Sequence, residues 1–282
     1  MRLLITGAAG MLAHDLLAAA DAGGIEYTAL THAQLDITNP AAVASAIGET
    51  APAVVVNCAA WSDVDGAESR EPEARAVNGD GPGHLAAAAA RAGAWTIQIS
   101  SDYVFDGSKR EPYVESDRTA PLSAYGRSKL AGERAVARAA PHSHTIIRSS
   151  WLFGPGGRCF PAKILNLASE RDVIDVVDDQ IGCPTFTGHL AAAILKIGST
   201  RPAGLLHVAG GGGCSWFEFA RAVVESAGLD TEVRPCSTRD MPRPATRPAN
   251  SVLRTERITE APALPAWRRG LAEYMALRAP AR

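Results

Sequence analysis

The feature that most constrains this chain is the stretch "LLITGAAGMLA", Leu3 to Ala13. An apolar run stops at Gly7, a second glycine follows at Gly10, and the small residue Ala13 stands three further on. The run reads as a buried strand, and the residues after the glycines as a helix. Glycines between the two permit a tight turn and let backbone N–H groups approach a pyrophosphate at the helix N-terminus, while Ala13 allows close helix–sheet contact. The plainer reading, an ordinary strand–helix turn, loses ground because this turn opens a long alternation of strands and helices.

That alternation is written in "RLLIT", "YTAL", "AVVVN", "WTIQIS" and "TIIRSS". Each run is short, apolar and bounded by Gly, Pro, Asn or Ser, as buried strands are. Alanine-rich helical stretches lie between them. The best marked opens at Asn39-Pro40, a cap residue followed by a proline at the first helical position. Connections this short imply an α/β fold: a doubly wound, Rossmann-like parallel sheet with helices on both faces. With 282 residues, 46% of them apolar, the chain has enough core for one large domain and a smaller companion. Residues 1–150 are expected to form the dinucleotide-binding domain. After about Trp151 the Gly- and Pro-rich loops "GPGGRC", "AGGGGCS" and "RDMPRPATRPANS" surround the helical "WFEFARAVVESAG". Residues 151–282 are therefore expected to be mainly a smaller C-terminal substrate-binding region, with about 172–197 returning to the main sheet.

Several function classes recede. The balance of 28 basic and 30 acidic residues gives a net charge of −2 with no basic stripe, which argues against a nucleic-acid or membrane partner. No apolar run approaches the roughly 20 residues of a membrane span, and the start of the chain lacks a signal-peptide pattern. Five scattered cysteines without a C-x-x-C pair suit free thiols in a reducing cytoplasm, and neither a disulfide frame nor a zinc site. Asp63, Asp65 and Glu68 match no metal-loop spacing, the histidines show no ligand pattern, and no metal is expected. A homodimer is left open.

The cofactor's charge state is partly readable. An enzyme restricted to NAD usually has an acid at the end of the second strand to hold the ribose 2′-hydroxyl. Here that strand ends "ALTHAQ", with no acid before Asp36, and His32 suits a 2′-phosphate. The expectation is NADPH, or indifference between NADPH and NADH.

The chemistry is concentrated in "LSAYGRSKLAGE". Tyr125 and Lys129 are four apart, one helical turn on the same face. A free phenol titrates near ~10, and a nearby cation draws that value toward the working range. Lys129 can supply the charge and also hydrogen-bond the nicotinamide ribose. Upstream, "QISSDYVFDG" ends a strand with Ser100 and Ser101, where ligands sit in doubly wound sheets. A hydroxyl there can stabilise the oxygen of a carbonyl under reduction.

With these pieces in order, the chain resembles the extended short-chain dehydrogenase/reductases, and among them the dTDP-4-dehydrorhamnose reductase family. The phrases that carry the likeness are "LDIT", "VNCAAWSDVDGAE", "AVN", "SSDYVFDG", "APLSAYGRSKLAGE", "RSSWLFG", "DQIGCPT" and "RPANSVL", which run through nearly the whole chain in order. The resemblance implies reduction of the 4-keto group of a dTDP-linked deoxysugar with NADPH or NADH. It implies a catalytic set of Ser101, Tyr125 and Lys129. Gly7, Gly10, Met11 and Leu12 would touch the cofactor's phosphates, Asp36 and Ile37 its adenine, and Ala60, Trp61 and Ser62 would run along the dinucleotide with Tyr125 and Lys129. Ser101, Asp102 and Trp151 would face the sugar nucleotide, with Arg247 and Asn250 near its phosphates. Family members often carry threonine in place of Ser101 and a small residue, His or Tyr in place of Trp61. The sister 4,6-dehydratases have an Asp-Glu pair after the strand hydroxyl; here the text is Ser101-Asp102-Tyr103, so elimination of water is not supported.

Plainer readings stand beside these. Trp151 can be a packing residue, Arg247 and Asn250 surface loop residues, and the Asp63–Glu68 acids helix caps or a solvated face. Two rival functions also stay open: a sister dTDP-4-keto-6-deoxyhexose reductase of another deoxysugar route, and a non-catalytic cofactor-binding subunit like that of methionine adenosyltransferase.

Overall fold

A computed structural model describes residues 1–278. The five apolar runs form the strands Leu3–Thr6, Tyr27–Leu30, Val54–Asn57, Trp95–Ser101 and His144–Ser149. All are parallel, in the spatial order 27–30, 3–6, 54–57, 95–101, 144–149. Leu3, Leu4 and Ile5 have at most 1% of their surface exposed, which is why the first strand reads as a continuous apolar run and not as an alternating one. Helices cover both faces. Leu12, Ala13 and Leu16 pack on one side, while Val43, Ile47, Leu85 and Ala89 pack on the other. The helix Pro40–Thr50 opens at Asn39, whose Oδ1 accepts from the N–H groups of Ala41 and Ala42 at 3.0 and 3.1 Å.

A sixth strand, Gly204–His207, pairs in parallel with His144–Ser149 and closes that edge. The helix before it, Thr187–Thr200, sends Leu190, Ile194 and Ile197 into the same core as Leu3, Ile5 and Ile97. Contrary to expectation, the strands of 172–197 do not enter this sheet. Val173–Val177 pairs with Glu232–Cys236, Ile181–Gly182 with Cys214–Ser215, and Thr185–Phe186 with Leu152–Phe153. The edge position beside 144–149 is taken by 204–207, delivered by the helix as a crossover connection.

A second core gathers Phe153, Phe186, Phe219, Trp267 and Tyr274 beside the sheet. Its aromatic rings meet edge-on or tilted: Phe153 lies 5.3 Å from Phe219 and 5.9 Å from Tyr274. The helix Trp216–Ala227 anchors this core and begins with a capping box between Ser215 and Glu218, the reciprocal arrangement that satisfies two orphan N–H groups. Among the described residues no helix is long and apolar enough to cross a membrane. All five cysteines are unpaired thiols.

Candidate active site

The order of strands reverses between 3–6 and 54–57, the place where doubly wound sheets bind their ligands. At that crevice Gly7 adopts φ +68°. A Cβ there would stand 2.5 Å from the backbone N of Ala59, so only glycine lets the first turn lie against the end of the third strand. The helix Met11–Ala22 then starts at Gly10 with no side-chain cap and no acid in its first turn. Its free N–H groups and positive dipole end suit a pyrophosphate. Gly10, Met11, Leu12 and Ala13 line a cleft of about 600 Å³.

The opposite wall comes from the strand ends. In the register, Thr6 faces Asn57 and Ser101 faces Ser149. A buried polar ladder fastens these ends: Thr6 Oγ1 donates to Asn57 Oδ1 at 2.6 Å, and Asn57 Nδ2 donates to Gln98 Oε1 at 2.7 Å. After Ser101 the chain makes a single helical turn, Asp102–Val104. Ser101 Oγ accepts from the Tyr103 N–H at 3.1 Å and donates to Asp102 Oδ1 at 2.9 Å. This turn packs directly on the helix Ala124–Ala139, because a Cβ on Gly126 would lie 2.2 Å from the Tyr103 carbonyl oxygen. Ser123 caps that helix through its hydroxyl, which accepts from the Gly126 N–H at 3.1 Å. Tyr125 therefore sits in the first turn, its ring edge-on to Tyr103 at 5.6 Å.

Ser101, Tyr125 and Lys129 line the cleft together. Lys129 is 4% exposed and its Nζ donates to the Ile99 carbonyl at 2.6 Å. Burial pushes its ammonium down to about 8, opposed by the carboxylate of Glu133 and by Cys58. The Tyr125 ring is half-buried, but its hydroxyl is packed in by protein atoms and is pushed up to about 12 by burial. The hydroxyl of Ser101 works against that rise and the charge of Asp102 adds to it. The expectation that Lys129 draws the phenol down is thus corrected: desolvation wins, and the opposing group is Ser101. Asp102 is 2% exposed, and burial raises its carboxyl to about 6 against the hydroxyls of Ser251 and Ser101. Its Oδ2 makes no hydrogen bond.

The other expected site residues divide. Ala60, Ser62, Asp102 and Trp151 line the same cleft. Trp61 does not; its Nε1 donates to the Asp63 carbonyl at 2.8 Å and its ring lies under the Arg70 guanidinium. Asp36 is exposed and bound to Thr38, which holds its carboxyl below the usual range. Ile37 is 3% exposed and packs in the core with Val43 and Leu85. Neither lines the cleft. Arg247 makes a bidentate pair with Asp65, Nη1–Oδ1 at 2.6 Å and Nη2–Oδ2 at 2.8 Å. That pair holds Asp65 down to about 2. Asn250 is committed elsewhere: its Nδ2 donates to the carbonyls of Lys109 and Arg110, and its Oδ1 accepts from the Val252 N–H. It lines no described cavity, because a strap that closes its own backbone uses both ends of the amide. The acids near Asp65 serve the backbone, with Asp63 accepting from Gly66 and Glu68 from Ala124.

Arg247 borders a second cavity of about 500 Å³, lined also by Lys163, Gln180, Arg243, Phe160, Ile164 and Val176. Tyr103 and Trp216 line both cavities. Trp216 stacks on Trp151 at 3.5 Å with 5° between the planes, and Phe160 leans on it at 4.5 Å. In the sequence Trp216 stands out only as a helix residue, and its position after a glycine-rich loop is the one signal of more. Asn78, in "AVN", carries no role in the sequence pattern; its side chain accepts from the Trp61 N–H at 2.9 Å and donates to the Trp61 carbonyl and Ser128 Oγ, each at 3.0 Å. Asn78 thereby holds the segment after the third strand against the helix that bears Tyr125.

A dinucleotide turn at the strand-order reversal, faced by Tyr-x-x-x-Lys and a strand-end serine, defines an extended short-chain dehydrogenase/reductase. Within that class, the family model for the RmlD substrate binding domain matches residues 1–279. The dTDP-4-dehydrorhamnose reductase of Streptomyces griseus is 46% identical over 280 residues, 96% of this chain and 92% of that protein. The crystal structure of a dTDP-4-dehydrorhamnose reductase from Clostridium acetobutylicum superposes with a TM-score of 0.96 at 41% identity, covering 99% of both chains. That of a dTDP-4-dehydrorhamnose reductase from Bacillus anthracis in complex with NADP gives 0.95 at 36% identity, covering 98% of this chain and 99% of that one. The chain belongs to the dTDP-4-dehydrorhamnose reductase family.

Proposed function

We propose that this protein reduces the 4-keto group of dTDP-4-dehydro-L-rhamnose to give dTDP-L-rhamnose in the cytoplasm, with NADPH, or NADH in its place, as reductant. The observation that carries the reading is the convergence of Ser101, Tyr125 and Lys129 on the cleft that the glycine turn opens. The uncapped helix start and the close approach of Gly7 to Ala59 fit a dinucleotide pyrophosphate. When bound, the cofactor supplies the hydride that adds to the sugar's C4.

The chain's own groups do the rest. Tyr125, protonated at neutral pH, donates its proton to the oxygen at C4 as charge develops there. Ser101 turns its hydroxyl toward the same oxygen and stabilises that charge. Lys129 offers its buried ammonium to the cofactor's ribose. Trp151, held against Trp216, walls the sugar, and residues 151–278 supply most of the second cavity. There Phe160 and Trp216 suit a base, while Lys163, Arg243 and Arg247 suit a diphosphate.

The test is incubation of the protein with NADPH and dTDP-4-keto-6-deoxyglucose, with and without a 3,5-epimerase. Loss of NADPH absorbance that depends on the epimerase, with dTDP-L-rhamnose as product, supports the reading. Turnover without the epimerase points to the sister reductase. No turnover with intact NADPH binding points to the non-catalytic subunit.

A further inference from the structure

The glycine-rich loop "GPGGR", Gly154 to Arg158, follows the strand Leu152–Phe153 and has no part in the mechanism above. Its root is fixed to the dinucleotide helix. A Cβ on Gly154 would lie 1.7 Å from Thr187 Oγ1, and that hydroxyl donates to Asp15 on the helix Met11–Ala22. Its tip is seated on the first turn of the same helix. Gly156 adopts φ +76°, and a Cβ there would stand 2.8 Å from the ring of His14. A Cβ on Gly157 would come within 3.0 Å of Met11 Cβ. Glycine at these positions lets the loop lie directly on the turn whose N–H groups suit a pyrophosphate. Gly156, Gly157 and Arg158 accordingly line the cofactor cleft, as Gly10 and Met11 do.

The pyrophosphate end of that cleft is short of positive charge. Each phosphate of a dinucleotide bears a negative charge, and a helix N-terminus answers with only about half an elementary charge. Two of the residues lining the cleft are cations, Lys129 and Arg158. Lys129 stands in the opposite wall with the catalytic serine and tyrosine, its Nζ tied to the Ile99 carbonyl. Arg158 is exposed, and among the described residues its guanidinium enters no ion pair. We propose that Arg158 is a cofactor-binding residue: carried by the seated loop to the first turn of the dinucleotide helix, its guanidinium closes on the pyrophosphate that the helix N–H groups hold. The inference rests on the cofactor reading above.

The acids of the cleft and of the helix are occupied elsewhere. Asp15 accepts from Thr187 Oγ1 and lies 3.1 Å from His14 Nδ1, and Asp102, in the opposite wall, accepts from Ser101. An arginine also has the right shape for the task. Its planar fork meets two phosphate oxygens at once, and charge-assisted bonds of this kind are the strong class. The second cavity has cations of its own, Lys163, Arg243 and Arg247. The cofactor's diphosphate is the one that needs Arg158.

The experiment is fluorescence titration of NADPH and of NADH, beside calorimetric titration of dTDP, in the parent protein, Arg158→Ala and Arg158→Lys. In Arg158→Ala the Kd of both dinucleotides is expected to rise about tenfold or more, as when a hydrogen bond to a charged group is lost. The two fold-changes should match, because both cofactors carry the same pyrophosphate. Arg158→Lys keeps the charge without the fork, so it should recover part of the affinity and lose that part again in high salt. The affinity for dTDP should stay within about twofold of the parent, and Tm should hold, as for a surface substitution away from the bound group. An unchanged dinucleotide Kd in Arg158→Ala overturns the inference. So does a loss confined to NADPH, which puts the arginine on the 2′-phosphate, and so does a loss confined to dTDP, which puts it on the sugar nucleotide. Absence of dinucleotide binding in the parent protein would instead overturn the cofactor reading itself.

Discussion

Replacing Tyr125 by Phe deletes one oxygen from a ring already held by its surroundings. The ring packs against the cluster of Ala67, Ala74 and Ala124 and lies edge-on to Tyr103, and none of those contacts needs the hydroxyl. The fold and the cofactor cleft should therefore survive, and the loss should fall on the proton. At neutral pH a phenol pushed up to about 12 is protonated in essentially every molecule, so the variant removes a fully loaded donor. General acid catalysis is worth about 10²–10⁴ in rate, which at about 1.4 kcal/mol per decade is about 3–5 kcal/mol of barrier. The assay is loss of NADPH absorbance with epimerised dTDP-4-keto-6-deoxyglucose, beside fluorescence titration of NADPH. The expected result is a fall of about 10²–10⁴ in kcat, with cofactor affinity and Tm close to those of the parent. Turnover within a few fold of the parent would refute the role of Tyr125 as acid. An equal loss of NADPH affinity would show that the hydroxyl matters for binding instead.

Gly7→Ala places a β-carbon 2.5 Å from the Ala59 nitrogen in a left-handed turn. The conformational strain alone is about 1–2 kcal/mol, so Tm should fall and NADPH affinity collapse; unchanged calorimetric and binding curves would contradict the close approach. Asp65→Asn breaks the pair with Arg247. Since Asp65 is held down to about 2 from an ordinary 3.8, its contribution to stability is present above the ordinary value and is lost as pH falls through the lower one. Urea midpoints should thus drop less between pH 4 and pH 2 in the variant, about the window those two values set, and parallel curves would count against the pair. Trp216→Ala removes the stack on Trp151 and some of the wall between the cavities. Aromatic pairing is worth about 0.5–1.5 kcal/mol beyond area, so KM for the sugar nucleotide should rise several-fold while NADPH affinity holds; the reverse pattern would move Trp216 to the cofactor side.

The legible and the hidden features of this sequence divide along one physical line. Strands 3–6 and 54–57 were legible because a strand buried on both faces reads as one apolar run. Strand 27–30, a half-buried edge strand, and the more polar 95–101 and 144–149 were legible as short runs bounded by turn residues. "GLLH", the sixth, has only two apolar residues, between a glycine and a histidine, and gains its place through the crossover helix before it. The glycine turn, the Tyr-x-x-x-Lys helix and the strand-end serines are local patterns, and folding gathers them in one cleft. The rest of the site depends on partners far along the chain. Arg247 finds Asp65 at a separation of 182 residues, Glu133 finds Arg148 from the neighbouring strand, and Trp216 meets Trp151 across two loops. Nothing near Asn250 announces that its amide will be used up by carbonyls of Lys109 and Arg110. Ile37 was placed toward the adenine by the resemblance alone, and its side chain packs in the core beside Val43 and Leu85.

The Asp65–Arg247 pair has a mechanical meaning as well. It fastens the loop after the third strand, on the cofactor side, to the loop that borders the second cavity. Drawing those loops apart has to break both charge-assisted hydrogen bonds at once. A single carboxylate thus works as a latch, pinning two loops that lie far apart along the chain.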